Sequence, residues 1–413
     1  PRTAVTHAGF SFEVTHRLGG GPDDGRPLGR TGIIRTPHGD IRTPAFTPVG
    51  TKATVKAVLP ETMRELGAQV ILANAYHLYL QPGADVVDEA GGLSAFMNWK
   101  GPTITDSGGF QVLSLGVGFK KILAMDARSV RSDDVIAEGK DRLAHVDDDG
   151  VTFKSHLDGS LHRFTPEVSM QVQHQIGADV IFAFDECTTL LNTREYQERS
   201  VARTQAWAER CVAEHEALTV ARAHRPYQAL FAVVQGAQYE DLRRQSARGL
   251  AALPVDGFGI GGALEKDRLG EIVRWVVEEL PEDRPRHLLG IGEADDVFTA
   301  VASGADTFDC VAPSRNARNG TVYHHDRRFH LTNGVYRRDF NPIDDECDCY
   351  TCAHYTRAYL NHLFRAKEML ASTLATIHNE RYIIRLLDRV RDSIGGGEFD
   401  ALQTEVLGRL GSN

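Results

Sequence analysis

Three cysteines stand close together late in the chain, in the pattern C-x-C-x-x-C at Cys347, Cys349 and Cys352. His378 follows, with 25 residues between it and the last of the three. Three thiolates and one imidazole match a closed, tetrahedral structural zinc site, which leaves no open position for a substrate. The cluster therefore predicts one structural zinc ion per chain, and it places the chemistry of the protein elsewhere.

Other interpretations of this cluster are weaker. A disulfide framework would suit a small domain in an oxidising compartment, whereas this chain has 413 residues and only three further, scattered cysteines. An iron–sulfur cluster would need an unusual fourth ligand. His354 and His362 also lie near the cysteines, so the local pattern alone leaves the fourth ligand open.

Two carboxylates, Asp106 and Asp309, each close or interrupt a short apolar run, so we expect them near a desolvated cleft. Such a pair can divide its roles, because one carboxylate attacks as a nucleophile while the other moves protons. Retaining glycosyl transfer uses this division. Buried structural aspartates that cap helices are an equally good interpretation of the residues taken alone.

The apolar runs around these carboxylates predict the architecture. They are short, rich in Val, Ile, Leu and Phe, and typical of strands buried on both faces. Helical patterns lie between them, including 166–176, 194–215, 239–252 and 269–280. About eight strand–helix units predict an α/β fold of the (β/α)8 TIM-barrel type. The predicted strands are Ala45–Val49, Val70–Ala73, Thr103–Thr105, Val180–Phe184, Leu230–Val234, Gly257–Ile260, His287–Ile291 and Thr307–Val311.

Polar or glycine-rich residues follow these runs repeatedly. In a barrel such positions gather at the carboxyl ends of the strands, where active sites lie. A strand-ending turn explains any one of them, but the joint pattern predicts one shared site. The positions are Asn74, Asp106 to Gly109, Asp185-Glu186, Gln235-Gly236, Gly261-Gly262, Gly292 and Asp309.

Composition restricts the class of protein. The hydrophobic content of 42% and charged content of 25% are ordinary for a soluble globular protein. No apolar run is long enough to span a membrane, and residues 1–25 lack a secretory pattern, so we expect a cytoplasmic protein. The net charge of −10 argues against general coating of nucleic acid.

A local basic patch remains compatible with that charge. Six arginines occur between positions 315 and 338, and within that stretch only Asp326 opposes them. They form either a solvated loop or a surface for a phosphate backbone. The arginines are Arg315, Arg318, Arg327, Arg328, Arg337 and Arg338.

The domain organisation follows from these patterns. We expect a catalytic barrel over 1–393, with a zinc-binding subdomain at about 315–380. Residues 118–149 interrupt the strand–helix rhythm with many charges and predict a helical insertion on the surface. Residues 394–413 predict a helical tail.

Several longer motifs resemble one family, tRNA-guanine transglycosylase (queuine tRNA-ribosyltransferase) of the bacterial type. The similarity runs from about Gly32 to Gly397, and the zinc ligands complete it in the same order and spacing. The motifs are T-D-S-G-G-F-Q-V at Thr105–Val112, F-D-E-C at Phe184–Cys187, Q-G at Gln235–Gly236, G-I-G-G at Gly259–Gly262, F-D-C-V-A-P-S-R at Phe308–Arg315 and R-N-G at Arg318–Gly320.

The resemblance implies exchange of the anticodon wobble guanine of certain tRNAs for 7-aminomethyl-7-deazaguanine, within queuosine biosynthesis. It implies a barrel with a zinc-binding insertion, a homodimer, and His378 as the fourth zinc ligand. Asp309 would be the nucleophile that attacks the ribose, and Asp106 the acid and base. Arg315 and Arg318 would contact the anticodon loop. The substrate-binding residues would be Asn74, Ser107, Phe110, Asp185, Cys187, Gln235, Gly261 and Gly262.

This chain departs from the bacterial pattern at three places. Phe110 replaces a tyrosine, which keeps a stacking ring but removes a hydroxyl. Ala263-Leu264-Glu265 stands where Leu-Ala-x-Gly-Glu is common, in a segment that helps to recognise the aminomethyl group. The 118–149 insertion is longer than the usual loop.

Rival functions remain. A queuine-using or archaeal-type enzyme would share the barrel, although the C-terminal RNA-binding domain expected of the archaeal type is not seen here. A non-catalytic tRNA-binding subunit would keep the zinc ligands and lose the aspartates, whereas Asp106 and Asp309 both stand in full motifs. A zinc hydrolase would need histidine and carboxylate ligands at strand ends.

Overall fold

The structure is a computed structural model that describes residues 9–18, 28–111 and 144–411. Helices in these ranges are too short or too polar to cross a membrane. The described residues form sixteen strands, which we number in chain order. They are β1 Ser11–Arg17, β2 Arg30–Thr36, β3 Gly39–Thr43, β4 Ala45–Pro48, β5 Ile71–Ala73, β6 Thr103–Thr105, β7 Ala144–Val146, β8 Val151–Lys154, β9 Leu161–Phe164, β10 Val180–Phe182, β11 Ala229–Val234, β12 Gly257–Ile260, β13 Arg286–Leu288, β14 Thr307–Cys310, β15 Thr321–Tyr323 and β16 Arg328–His330.

Eight of these strands are parallel neighbours in the order β4-β14-β13-β12-β11-β10-β6-β5. A parallel bridge between Val49 and Leu72 joins the two ends of that order, and the Gly50 amide donates to the Leu72 carbonyl at 2.7 Å. The sheet is therefore a nearly closed barrel, which confirms the predicted fold class. All eight predicted strands are present, with ends displaced by up to three residues.

The strands are buried because helices cover the outside of the barrel. All residues of β11 and β12 are buried, as expected of parallel strands with both faces covered. The helices have the bounds Pro60–Glu65, Ala75–Leu80, Ala84–Glu89, Leu93–Phe96, Pro166–Ile176, Arg194–Ala221, Glu240–Ala251, Leu269–Val277, Ala294–Ala302, Ala312–Arg318, Tyr350–His354, Arg357–Ala366, Met369–Gly396 and Phe399–Leu410, with 3-10 turns at Lys266–Arg268 and Gly334–Arg338.

Three small antiparallel sheets accompany the barrel. The chain enters through β1-β2-β3, and a hairpin of β15 and β16 follows the last barrel strand. The third sheet, β7-β8-β9, lies between β6 and β10. Its first strand occupies part of the stretch for which the sequence predicted a helical insertion, so that expectation is wrong for Ala144–Val146. The preceding part of the insertion, up to residue 143, lies outside the described residues.

The helix Met369–Gly396 is the main link between the barrel and the C-terminal module. Its buried side chains include Ile383, Ile384 and Leu387, which belong to the barrel core, and Leu374 and Ala375, which belong to a second core beneath the β15–β16 hairpin. The helix therefore fixes the module against the barrel. The final helix, Phe399–Leu410, packs against the same core through Phe399.

A buried ion pair attaches the entry sheet to the bottom of the barrel. Arg30 on β2 donates from Nε and Nη2 to the two carboxylate oxygens of Asp306, at 2.9 and 2.8 Å. Asp306 also accepts from the Arg286 amide at the start of β13. The two side chains are 4% and 0% exposed, so loss of either partner would leave a desolvated charge.

We predict that Asp306→Ala lowers the free energy of unfolding by about 3–5 kcal/mol, the range for breaking a buried ion pair. Urea denaturation followed by circular dichroism measures this loss. Glu282→Gln is the matched control, because Glu282 pairs with Arg17 at the surface, where such pairs contribute less than about 1 kcal/mol. Equal losses in both variants would contradict the assigned role of the Arg30–Asp306 pair.

Candidate active site and metal centre

The carboxyl ends of the barrel strands bring the predicted polar residues to one mouth. Asn74 follows β5, Asp106 follows β6, Gln235 follows β11, and Asp309 lies within β14. Asp309 pairs in register with Thr47 of the neighbouring strand, so its place is set by the sheet itself. The predicted convergence of residues separated by more than two hundred positions is therefore present in the structure.

Asp106 is held by three donors. The Asn74 side-chain amide and Gln111 Nε2 donate to Oδ2 of Asp106, the latter at 2.8 Å. The Ala75 main-chain amide donates to Oδ1 at 2.9 Å. Burial raises the pKa of the Asp106 carboxyl to about 6; these hydrogen bonds oppose the rise, and the charge of Asp309 adds to it. A carboxyl with such a pKa can exist in either protonation state near neutral pH.

Asp309 is oriented by a histidine that the sequence analysis did not assign. His287 Nε2 lies 3.0 Å from Asp309 Oδ1, and the Gly290 amide donates to the same oxygen at 3.0 Å. His287 Nδ1 lies 2.8 Å from Thr307 Oγ1. Because a carboxylate only accepts, a neutral His287 must donate from Nε2 and accept the Thr307 hydroxyl at Nδ1.

These bonds leave one side of the Asp309 carboxylate open. Within the described ranges its hydrogen bonds reach Oδ1 only, so Oδ2 is available to an incoming group. The side chain is 14% exposed while His287 beneath it is fully buried. The arrangement presents a fixed, partly desolvated carboxylate to the mouth of the barrel.

A third carboxylate, that of Asp185, lies near Asp106 and Asp309. Asp185 accepts from Ser107 Oγ at 2.8 Å and from Gln235 Nε2 at 2.6 Å. Burial raises the pKa of Asp185 to about 6, and the nearby Glu186 charge raises it further, while the two hydrogen bonds oppose the change. Gln235 Oε1 is buried and has no hydrogen-bond partner within the described residues. An unpaired buried acceptor is costly, so this atom indicates a ligand with an N–H donor.

Gly261 and Gly262 form a close wall against Gln235. A Cβ on Gly262 would lie 2.3 Å from Gln235 Oε1, and the residue has a φ of +78°. A Cβ on Gly261 would lie 2.6 Å from the Val233 side chain. Both positions therefore need glycine, the second for its conformation as well as for space.

Arg243 supports this wall from behind. It is fully buried and donates to main-chain carbonyls, including Gly261 O at 2.7 Å, Ala237 O at 2.8 Å and Val234 O at 3.1 Å. Burial lowers the pKa of its guanidinium to about 9. Arg243 thus fixes the backbone of two adjacent strand ends, a role that its place on the amphipathic helix Glu240–Ala251 does not reveal.

Two predicted substrate residues border this pocket. Cys187 is partly buried, and burial raises the pKa of its thiol to about 12, which makes it a neutral packing group. Phe110 stands in the single turn 109–111 after Asp106 and is half-buried. A Cβ on Gly109 would lie 2.5 Å from the Asp185 carbonyl, so Gly109 permits the close approach of these two loops.

Four basic side chains form a cluster, and two of them follow Asp309 closely in the chain. Arg315, which is exposed, and Arg318 lie on the helix Ala312–Arg318 that follows β14. The pKa of Lys56 is lowered by burial and by the charges of Arg318 and Lys52, so these groups are close in space. The sequence analysis missed both lysines, because some 260 residues separate them from the arginines.

The six-arginine patch is smaller than predicted. Glu293, which lies outside the stretch 315–338, forms an ion pair with Arg328. Arg327 lies 3.7 Å from Asp326. The tertiary structure therefore adds a second carboxylate, from the loop before the helix Ala294–Ala302, to the one that the stretch itself contains.

The predicted metal ligands come together. Cys347, Cys349, Cys352 and His378 offer ligand atoms that all lie within 4.8 Å of one another. His378 Nδ1 lies 3.3 Å from Cys352 Sγ and 3.6 Å from Cys349 Sγ. In a tetrahedron with the usual zinc–sulfur and zinc–nitrogen lengths, such atoms are about 3.5 Å apart. The cluster could therefore hold a metal ion and fits zinc.

The histidine is already in the right tautomer for this role. His378 Nε2 contacts the Tyr323 carbonyl, which can only accept, so the proton lies on Nε2 and the lone pair of Nδ1 faces the thiols. The structure thus favours His378 over His354 and His362, which contact Tyr350 and Tyr359 instead.

These features define a class of protein. The mouth of the barrel presents a fixed carboxylate, a second carboxylate able to exchange protons, and buried acceptors on Asp185 and Gln235 for N–H donors. The cysteine–histidine cluster lies outside the barrel strands. The arrangement is that of a barrel enzyme with carboxylate chemistry and a separate cluster that could hold a metal ion.

Comparison with known proteins identifies the family. The family model described as queuine tRNA-ribosyltransferase matches residues 24–412. Curated proteins of that name are similar over nearly their whole length: one from Thermoanaerobacter pseudethanolicus is 44% identical over 90% of this chain and 91% of its own, and one from a Roseiflexus species is 46% identical over 92% and 96%. The chain belongs to the queuine tRNA-ribosyltransferase family, and it is therefore a pentosyltransferase.

We predict that Cys349→Ser lowers the bound metal below one ion per chain and lowers the melting temperature, because the cluster loses a thiolate ligand. Mass spectrometric metal analysis and a thermal melt measure both effects. Cys310→Ala is the control, since Cys310 is buried outside the cluster. Full metal content in the Cys349 variant would exclude this site.

Proposed function

We propose that this enzyme exchanges the anticodon wobble guanine of tRNA for 7-aminomethyl-7-deazaguanine, by double displacement through a covalent tRNA–aspartate intermediate. The observation that carries this proposal is the pairing of two differently held carboxylates, Asp106 and Asp309, beside the Asp185–Gln235 pocket. An enzyme that used only a nucleophile would not need a second carboxylate that exchanges protons. A protein that only binds its ligand would need neither carboxylate.

In the proposed first step, Asp309 Oδ2 attacks the anomeric carbon of the ribose. The bond between that carbon and the guanine ring nitrogen breaks, and an ester bond between Asp309 and the ribose forms. His287 and Gly290 hold Oδ1, so the carboxylate cannot rotate away from the sugar. A positioned carboxylate also stabilises the positive charge that develops on the sugar as the base departs.

Asp106 handles the proton in both half-reactions. Its neutral form donates to the departing guanine, and the resulting carboxylate then removes a proton from the incoming base. The pKa of about 6 suits both roles, because neither form is strongly disfavoured near neutral pH. Asn74 and Gln111 supply hydrogen bonds that keep the carboxylate in place as its charge changes.

The base is read by the neighbouring pocket. Asp185, as a carboxylate, accepts from the ring N–H and exocyclic amino group of a guanine-like base. Gln235 turns toward the base, the Gly262 amide donates to it, and Phe110 stacks on its face. Because the reacting base must leave the anticodon stack to reach this depth, the wobble nucleotide is flipped out of the loop.

The tRNA is held by charge at the mouth. Burial, and after it the charges of neighbouring basic groups, lowers the pKa values of Lys56 and Arg318. Lys52 and Arg318 act on Lys56, and Arg315 acts on Arg318, so these four cations lie close together. Phosphate groups of the anticodon loop relieve their mutual repulsion and gain charge-assisted contacts. The arrangement accounts for tRNA binding by a chain whose net charge is −10.

The identity of the incoming base is the most specific part of the proposal. Ala263 and Leu264 differ from the common bacterial segment, but they directly follow the Gly261–Gly262 wall and are held by contacts with the protein. Arg243 Nη2 reaches the Ala263 carbonyl at 3.5 Å, and Leu264 is buried. We therefore favour the aminomethyl base over queuine. A non-catalytic subunit is disfavoured because Asp106 and Asp309 are both present and both held by hydrogen bonds at the mouth.

We further propose a cytoplasmic homodimer with zinc in the Cys347–Cys349–Cys352–His378 cluster. Exposed apolar side chains on the C-terminal module support the dimer, among them Tyr350, Met369 and Leu370. Tyr350 and Tyr359 both contact Tyr355, so they form a continuous aromatic surface. Sedimentation velocity, which reports a monomer or a dimer directly, tests this association.

We predict that Asp309→Ala abolishes the enzyme–tRNA adduct that survives denaturation, because the only atom proposed to bond to the ribose is gone. Denaturing electrophoresis with labelled tRNA measures it. Asp106→Asn should instead slow adduct formation by about 10²–10⁴-fold, the usual contribution of a general acid. Asp241→Asn, at an exposed carboxylate that pairs with Arg194, should behave as wild type. An adduct of normal yield in the Asp309 variant would refute the assignment.

We predict that guanine binds less tightly as the pH falls through about 6, the pKa to which burial raises Asp185. Above that pH the carboxylate accepts both N–H donors; below it, the group is protonated and one acceptor is lost. Calorimetric titration of free guanine on either side of this pH measures the change. Asp185→Asn should bind weakly and lose the pH dependence, whereas Asp106→Asn should keep it. The opposite pattern would assign the titration to Asp106.

A further inference from the structure

A second group of potential metal ligands lies beside the cysteine cluster. His324 and His325 form the turn between β15 and β16, and Asp344 and Asp345 lie in the loop that leads to Cys347. Each of the four offers one ligand atom, and these atoms all lie within 4.8 Å of one another. Two imidazoles and two carboxylates are a donor set that suits divalent zinc, cobalt or nickel.

His324 is oriented as metal-binding histidines usually are. His324 Nδ1 contacts the Asp326 carboxylate and lies 3.4 Å from the Asp326 main-chain amide. The carboxylate contact is the shorter of the two, and it places the proton on Nδ1 and the lone pair on Nε2. Histidines that bind metals almost always donate their other ring N–H to a carboxylate or carbonyl in this way. His324 is 6% exposed, and a buried imidazole without such a purpose would add little to the core of the hairpin.

Asp344 is fixed by three contacts from two segments. Its Oδ2 accepts from the His325 amide at 2.8 Å, and its Oδ1 accepts from the Glu346 amide at 2.9 Å and lies 2.9 Å from His325 Nδ1. The carboxylate is 3% exposed, whereas the side chain of Asp345 is 80% exposed. The cluster of four side chains is therefore rigid at Asp344 and open to solvent at Asp345, which gives an ion a path of entry.

The two clusters share their supports. The Tyr323 carbonyl, immediately before His324, accepts from the zinc-facing His378. The Cys347 amide donates to the Asp344 carbonyl at 3.4 Å. A bond between the hairpin and the 344–347 loop would consequently restrain both the imidazole and one thiolate of the first cluster.

We propose that His324, His325, Asp344 and Asp345 form a second metal site, which takes one divalent transition-metal ion and braces the β15–β16 hairpin against the cysteine-bearing loop. On binding, His325 Nδ1 releases its proton to solvent, and bonds from His325 and Asp344 to the metal replace the direct hydrogen bond between them. The site is structural and independent of the base-exchange chemistry, because its ligands lie in the C-terminal module and not at the barrel mouth.

The test is a titration of cobalt into the full-length protein. The protein is first dialysed against a chelator until one zinc per chain remains, as measured by mass spectrometry. Cobalt should then bind in one equivalent, with ligand-field absorption but without the thiolate-to-cobalt charge-transfer band that a cysteine site would add. His325→Gln should abolish this binding, and Asp326→Asn should weaken it by about 10–100-fold, as expected for an outer-sphere partner.

His330→Gln is the matched control, since His330 is an exposed histidine of the same hairpin that contacts Thr332. It should bind cobalt as wild type does. Absence of cobalt binding in the wild type would overturn the proposal, and so would equal binding by wild type and His325→Gln. Appearance of the charge-transfer band would also overturn it, because cobalt would then have entered the cysteine cluster. Asp345→Asn, at an exposed position, provides the same test should His325→Gln fail to fold.

Discussion

Closure of the eight-stranded parallel barrel is the constraint on which the rest of this structure depends. The Val49–Leu72 bridge brings the first strand beside the second, and β14 pairs with β4 on its other side. Parallel strands in a closed ring place their carboxyl ends at a single mouth. Asn74, Asp106, Asp185, Gln235 and Asp309 can form one site only because that ring is closed.

The site separates three carboxylates by their surroundings. Asp309 is held at one oxygen by a buried histidine and a backbone amide, which suits its proposed role as the nucleophile. Burial raises the pKa values of Asp106 and Asp185, but their donors differ. Asp106 accepts from amide groups of Asn74, Ala75 and Gln111, whereas Asp185 accepts from Ser107 and Gln235. In the proposed reaction, the same type of side chain thus serves for attack, proton transfer and recognition.

The C-terminal module is packed firmly on the barrel. The helix Met369–Gly396 carries His378 and also packs on the barrel core, so a metal bound by the cysteines ties the module to the catalytic domain. Its neighbouring helix, Ala312–Arg318, begins directly after the strand of Asp309 and carries Arg315 and Arg318. A displacement of the module would therefore move these two arginines relative to Asp309. A metal bound in the cysteine cluster would for this reason also stabilise the proposed tRNA-binding surface.

The sequence by itself determined the elements and the local chemistry of this protein. Strands buried on both faces are continuous apolar runs, so all eight barrel strands were visible, as were the polar residues at their ends. The cysteine spacing showed the metal cluster, and the long motifs showed the family. Each of these signals is local, because it depends on residues within a few positions of one another.

Only the tertiary structure decided which distant groups meet. His287 resembles a core residue of an apolar run, and its contact with Asp309 depends on the pairing of β13 with β14. Arg243 reads as one polar face of a helix, yet it lies buried behind the Gly261–Gly262 wall. The approach of Lys56 to Arg318 and the pairing of Glu293 with Arg328 join segments far apart in the chain.

The strand Ala144–Val146 forms where charge density predicted a helix, because pairing with Val151–Phe153 outweighs local propensity. Such contacts follow from strand register and barrel closure, which no local spacing encodes.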